Sequence, residues 1–309
     1  MREKKSIGKK GKGKVFVTGA SGMLGTDLYK IFTDAGFDVL STDKVPLDPW
    51  TKKLDIRDIS KLSSMVERYS PDYFLNLAAL TDIEYCESNP QETYDVNAEA
   101  PIKIAKVCYE LGIPLVHIST AGVFDGLKDS PYTEEDTPNP VNIYGKAKHI
   151  SEVAIPHVIE DYFIFRAGWM MGSGERDKKF VKKVLDQIKN GKKIIYGLTD
   201  MKGCPTYTLD FSNGIIKMIF KAEYGLYHMV SEGYCSRYDV AEKIINFLGL
   251  KHIALEKVQG DFFKETFFAA RPKFEVIVNK KIHLMGLSVM RNWELAIEDY
   301  LNTFYKGKV

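Results

Sequence analysis

At 309 residues, with 45% hydrophobic and 27% charged side chains, the chain can bury a sizeable core and has the balance of an ordinary globular protein. Its net charge is only +2, and seven Lys and Arg against one Glu crowd the first fourteen residues, leaving the rest mildly acidic. That distribution argues against a basic nucleic-acid-binding face outside the leader, and no apolar run approaches the eighteen residues that suggest a membrane span. Neither nucleic acid nor membrane is therefore expected as a partner. Residues 1–13 read as a disordered basic tail, and nothing resembles a signal peptide. Cys86, Cys108, Cys204 and Cys235 are widely spaced with no Cys-x-x-Cys pair, which favours reduced thiols and a cytoplasmic protein.

Strand-like and helix-like segments alternate from residue 14 to 166. Val15–Val17 reads as a strand, Met23–Phe32 as a helix ended by Gly36, and Phe37–Leu40 as a second strand. A helix around Leu62–Tyr69 precedes a strand at Tyr73–Asn76. Residues 91–111 read as helix with a disturbance expected at Pro101, which has no N–H to donate. Leu115–Ile118 is the next strand, Ile143–Val158 a helix and Tyr162–Phe165 a strand. Such alternation implies parallel crossovers: an α/β, doubly wound parallel-sheet Rossmann fold over 14–166, with later segments returning to it. Residues 167–309 read mainly as a smaller α+β substrate-binding region. Its expected helices lie near 178–189, 209–220, 238–247 and 292–304, and its strands near 193–196, 225–229 and 276–278.

Gly19-Ala-Ser21-Gly22-Met23-Leu24-Gly25 follows the first strand and opens the first helix, the setting of a dinucleotide turn. Gly19 permits the turn, Gly22 lets the backbone approach a pyrophosphate, and Gly25 lets helix and strand pack closely. The helix N-terminus offers free N–H groups to the phosphates. Asp43, ending the second strand, can accept both adenine-ribose hydroxyls and would repel a 2′-phosphate. Lys44 beside it would offset that repulsion, so NAD(H) is favoured but NADP(H) stays open. Asp55 and Ile56 are placed to flank the adenine. Leu77, Ala78, Ala79 and Thr81 follow the fourth strand and would line the cofactor.

Tyr144 and Lys148 are four apart on one predicted helix and share a face. A strand ending in Ser119-Thr120 precedes them. This arrangement suits carbonyl reduction. Thr120 would hydrogen-bond the carbonyl, and Tyr144 would donate the proton. Lys148 would lower the phenol pKa and bind the nicotinamide ribose.

The chain resembles the extended short-chain dehydrogenase/reductases and, within them, the dTDP-4-dehydrorhamnose reductase family. The resemblance rests on Asn76-Leu-Ala-Ala-Leu-Thr81, Asp95-Val-Asn-Ala-Glu-Ala-Pro101, Val116-His-Ile-Ser-Thr120, Val123-Phe-Asp-Gly126 and Pro131-Tyr-Thr-Glu-Glu-Asp136. It continues through Pro138–Gly145, Arg166-Ala-Gly-Trp169, Gly203-Cys-Pro-Thr206 and Ala270-Arg271-Pro272. It implies reduction of the C4 keto group of a nucleotide-diphosphate 6-deoxysugar, with Thr120, Tyr144 and Lys148 as the catalytic set. It further implies Phe124, Trp169 and Arg271 beside the substrate. A homodimer is compatible with the resemblance. Some relatives bind magnesium at a dimer interface, but no matching carboxylate cluster is found here, so no metal is expected. One departure stands out: Ala121-Gly122 replaces the family's common Asp-Tyr after the catalytic Thr, removing a charge and a ring expected to face the sugar. Two alternatives stay open: an epimerase of the same fold, which would retain its cofactor tightly, and a non-catalytic cofactor-binding subunit.

Overall fold

A computed structural model of the chain describes residues 13–287 and 290–307. Of the tail expected over residues 1–13, residues 1–12 lie outside them, and the Gly13 carbonyl accepts from the Asp38 N–H at 3.0 Å. The first half runs β1 (Lys14–Thr18), α1 (Met23–Asp34), β2 (Asp38–Asp43), β3 (Thr51–Lys53), α2 (Ile59–Tyr69), β4 (Tyr73–Asn76), α3 (Ile83–Ser88) and α4 (Pro90–Tyr94). It continues with α5 (Ala100–Leu111), β5 (Leu115–Thr120), α6 (Ile143–Val158), β6 (Tyr162–Ala167) and β7 (Trp169–Met171). The second half holds α7 (Phe180–Lys189), β8 (Ile194–Leu198), β9 (Lys202–Gly203), β10 (Pro205–Tyr207), α8 (Thr208–Lys221) and β11 (Gly225–His228). Then come β12 (Cys235–Ser236), α9 (Arg237–Phe247), β13 (Ala254–Val258), β14 (Phe274–Glu275), α10 (Lys280–Leu284) and α11 (Trp293–Phe304).

Seven strands form one parallel sheet in the order β11-β6-β5-β4-β1-β2-β3. The chain builds outward from β1 to β2 and β3, then returns to β4 on the other side. The gap above β1 and β4 is therefore the topological switch point, where such sheets bind ligands. Strand residues alternate between two apolar layers. Val15 and Val17 pack with Leu28, Phe32 and Phe211 from α1 and α8, while Phe16 and Phe74 pack with Leu62, Ile104 and Ile155 from α2, α5 and α6. Burial on both faces explains why these strands read as continuous apolar runs. α8 and β11 both come from beyond residue 166, yet α8 packs on α1 and β11 extends the sheet beside β6. A separate core of α7, α9, α11 and β8 forms the rest of the second half.

The disturbance expected at Pro101 falls just before it. Asp95–Glu99 widens into a π turn between α4 and α5, which accommodates a residue that can neither donate to nor sterically fit the regular ladder. The turn faces Asn97 inward, where its side chain bonds both the N–H and the carbonyl of Leu80 (2.8 Å each). The strand expected at 276–278 starts two residues earlier, as the two-residue β14. Ile277 makes only an isolated bridge to Tyr132, because a single residue is available there to pair with.

Candidate active site

The glycine turn is shaped by close approach. Gly19 has φ +71°, and a Cβ there would lie 2.6 Å from the Ala78 nitrogen. A Cβ on Gly25 would lie 2.5 Å from the Ala20 backbone. Gly22, in contrast, is exposed and would meet only the Gly19 carbonyl, at 3.3 Å. No side chain caps α1 and no acid stands in its first turn. The first-turn N–H groups of Met23, Leu24 and Gly25 thus form an uncapped electropositive cradle that fits a dinucleotide diphosphate.

Asp43 ends β2 as expected, and its carboxylate also ties the turn together. Oδ2 accepts from the Ser21 N–H (3.0 Å) and Oδ1 from the Val45 N–H (2.9 Å). The Ser21 hydroxyl in turn accepts from the Leu47 N–H. Asp55 is gripped by Arg57 at 2.6 Å, which holds its carboxyl below the usual range, while Glu92 and Lys44 complete an exposed cluster. The Ile56 side chain belongs to the core under the sheet, which leaves its backbone for a ligand. Leu77, Ala78 and Ala79 run along the switch point. Thr81 is bound through its hydroxyl and carbonyl by the Lys179 ammonium (3.1 and 3.0 Å).

Thr120, at the end of β5, and Tyr144, in the first turn of α6, are brought together. The Thr120 oxygen accepts from the Gly122 N–H (3.0 Å), which leaves the hydroxyl proton available. Asn142 caps α6 and also donates to the Ala270 carbonyl, tying the catalytic helix to the second half. Tyr144 is pushed up to about 12, chiefly by lost solvation, with Thr120 pulling the other way. This reverses the expected lowering by Lys148. The reason is geometric: Lys148 Nζ turns beneath the cleft to His117 Nε2, 3.2 Å away.

Three expectations on the substrate side change. Phe124 has no exposed surface. It stacks on Tyr132 (4.2 Å between centroids) and under the Arg166 guanidinium, in a small apolar core, and so does not line the cleft. Ala121 lies in that same core at 1% exposure, so position 121 faces inward rather than toward a sugar. Only position 122 opens toward the site, where a Cβ would sit 3.4 Å from Thr120 Oγ1 and 3.9 Å from the Tyr144 ring. Arg271 is already paired with Glu84 at 2.6 Å.

Trp169 is half-buried. Its indole N–H donates to Glu275 (3.0 Å), and the Arg237 guanidinium lies 3.5 Å above its ring. Glu275 is pushed up by burial, and its charge acts on both Arg237 and Tyr144. Arg237 is drawn down to about 10 by burial. Neither Arg237 nor Glu275 was legible in advance, because the first opens α9 like any charged residue and the second ends a two-residue strand. His117 was also missed; a lone histidine inside an apolar strand is the signal that could have marked it.

Fold and site define a Rossmann-type protein with a Ser/Thr–Tyr–Lys constellation at its switch point. The profile of the RmlD substrate binding domain matches residues 13–306, and the chain belongs to that family. It is 32% identical over 288 residues to the spore coat polysaccharide biosynthesis protein SpsK of Bacillus subtilis, covering 93% of this chain and 96% of that one. A dTDP-4-keto-6-deoxy-D-glucose reductase of Streptomyces niveus is 29% identical, covering 91% and 94%. The crystal structure of a dTDP-4-dehydrorhamnose reductase from Bacillus anthracis in complex with NADP superimposes with a TM-score of 0.87 at 31% identity, covering 94% of this chain and 99% of that chain.

Proposed function

We propose that the protein reduces the C4 keto group of a dTDP-linked 4-keto-6-deoxysugar, of the dTDP-4-dehydrorhamnose type, with NADPH or NADH. The observation that carries this reading is Thr120 and Tyr144 brought together at Gly122, with the uncapped turn of α1, in a chain similar along nearly its whole length to reductases of such sugars. Bound in the turn, the nicotinamide cofactor supplies hydride to the carbonyl carbon. Thr120 and Tyr144 bind the carbonyl oxygen, and the Tyr144 hydroxyl passes its proton to that oxygen as it gains charge. A phenol held near 12 keeps that proton at neutral pH, as an acid must. Lys148 contributes positive charge beneath the site. Arg237, backed by Trp169, provides the cation for the substrate diphosphate, a stacked guanidinium being well suited to phosphate. Asp43 reads the adenine ribose while also holding the turn.

The test is turnover of dTDP-4-dehydrorhamnose and related nucleotide 4-ketosugars with each cofactor, with identification of the product. Tyr144→Phe should keep cofactor binding and lose roughly 10² to 10⁴ in kcat. Near-normal turnover in that variant would remove Tyr144 from the mechanism, and inactivity of the native protein on every 4-ketosugar would overturn the reading.

A further inference from the structure

Beneath the catalytic helix runs a buried polar chain that proton transfer from Tyr144 leaves unused. Lys148 is 2% exposed, and among the described residues no carboxylate forms an ion pair with it. Glu152, one turn further along α6, is gripped through both oxygens by Arg166 from β6 (2.9 and 2.8 Å). The hydrogen-bond partner of Nζ is Nε2 of His117, at 3.2 Å. His117 has no exposed surface, and burial together with the Lys148 charge keeps it neutral. One ring nitrogen therefore carries a proton and the other a lone pair.

Strand register sets Thr18, Asn76 and His117 side by side on β1, β4 and β5. Thr18 Oγ1 lies 2.7 Å from Asn76 Oδ1, Asn76 Nδ2 lies 3.1 Å from His117 Nδ1, and Nε2 lies 3.2 Å from Ser151 Oγ. Ser151 donates to the Lys148 carbonyl at 2.7 Å. Two arrangements are open to this chain. In the first, Thr18 donates to Asn76, Asn76 donates to Nδ1, and the Nε2–H donates to Ser151. An N–H then faces Nζ, which suits only an uncharged amine. In the second, the Asn76 amide is turned over, so that Nδ2 donates to Thr18 and Oδ1 accepts from the Nδ1–H. The Nε2 lone pair is then free to accept from an ammonium, and the Ser151 Oγ contact is given up, since the Ser151 proton already goes to the Lys148 carbonyl.

We propose that His117 is a positioning residue for Lys148: Asn76 sets the neutral imidazole as the Nδ1–H tautomer, and Nε2 accepts from the ammonium and fixes Nζ under the cleft. A carboxylate in that place would hold the Lys148 proton far above neutral pH. An uncharged acceptor steadies the ammonium yet leaves it able to titrate within reach of physiological pH. Lys148 is accordingly drawn down to about 8, first by burial and against the pull of Glu152. The charged group that acts on the pair is Glu152, itself held by Arg166 from β6, while Glu275 from β14, Cys86 from α3 and Glu152 act on Tyr144. The link to turnover rests on the reductase reading; the tautomer does not.

The first test is therefore made on the cofactor-free wild-type protein, reading the imidazole ¹⁵N shifts of His117, assigned by comparison with His117→Gln. The expected result is an Nδ1–H tautomer that stays neutral at pH values where an exposed histidine is charged. An Nε2–H tautomer at neutral pH, or an ordinary titration, overturns the proposal. The second test is the pH profile of kcat. Lys148 acts as the ammonium, so activity should fall as pH rises through about 8. Without its acceptor, His117→Leu should move that alkaline limb down by about one pH unit and weaken NADPH binding about tenfold. His117→Gln, which keeps a neutral acceptor, should restore both. A folded His117→Leu with an unmoved limb overturns the proposal, and if that variant does not fold, the ¹⁵N result decides. Failure of the reductase reading would show separately, as absent turnover in every variant with the tautomer unchanged.

Discussion

On the cofactor side of the cleft the anion-binding groups are backbone N–H donors from one continuous segment, Gly19–Gly25. On the opposite side, Trp169, Arg237 and Glu275 arrive from β7, α9 and β14. A backbone cradle restricts the residues that form it, because Gly19 and Gly25 have no room for a Cβ. A side-chain cluster imposes no such local pattern. Its members need only meet in space, and each looks ordinary where it stands in the chain. The contrast also separates two kinds of sensitivity: substitutions near the turn act through geometry, and those across the cleft act through charge and desolvation.

The sharpest probe of that difference is the pair Ala121-Gly122. Position 121 is buried among Val123, Phe124 and Val276, whereas at 122, also buried, a Cβ would point to Thr120 and the Tyr144 ring. Ala121→Asp should therefore destabilise the fold by about 3 kcal/mol, because no partner for a carboxylate lies in that core. Gly122→Tyr should set its ring toward Thr120 and Tyr144, cost less melting temperature than Ala121→Asp and alter KM for the sugar. Chemical denaturation and steady-state kinetics read the two effects. A stable Ala121→Asp variant with improved KM would mean that position 121 turns toward the substrate after all.

Arg237→Ala comes next. If its guanidinium meets the substrate diphosphate, KM should rise about ten- to a hundredfold, with kcat and cofactor affinity close to native. Arg237→Lys keeps the charge but loses planar stacking on Trp169, so its effect should be intermediate. An unchanged KM in Arg237→Ala would reduce the Trp169–Arg237 pair to a structural contact.

Much of the cofactor side was legible because period and position carried it. The alternation of strands and helices, the glycine spacing after β1 and the Tyr144–Lys148 spacing each have a local physical cause. What escaped notice depended on tertiary neighbours. Phe124 and Trp169 are both aromatic and both adjoin matching motifs, yet one is sealed under Arg166 and the other is half-buried between Glu275 and Arg237. The direction of the Tyr144 shift escaped for the same reason. Helical spacing puts Lys148 on the same face, but a histidine from β5 decides where the ammonium goes.

The smallest expected effect tests the cofactor side itself, at Asp43. This carboxylate anchors the Ser21 and Val45 N–H groups, and on the proposed reading it also presents negative charge to the adenine ribose. Asp43→Ala would remove both at once and confound them. Asp43→Asn keeps an acceptor for the turn while deleting the charge, so it isolates the electrostatic part. Relief of repulsion between a carboxylate and a 2′-phosphate at a solvated surface is worth about 1 kcal/mol. The ratio of kcat/KM for NADPH over NADH should therefore rise roughly fivefold in Asp43→Asn, with little change in melting temperature. The shift should shrink with added salt, since the interaction is screened. Lys44, one residue on, is drawn toward Asp55 and Glu92 rather than Asp43, so it does not cancel the charge being removed. A ratio identical before and after the change would leave Asp43 as a brace for the glycine turn and nothing more.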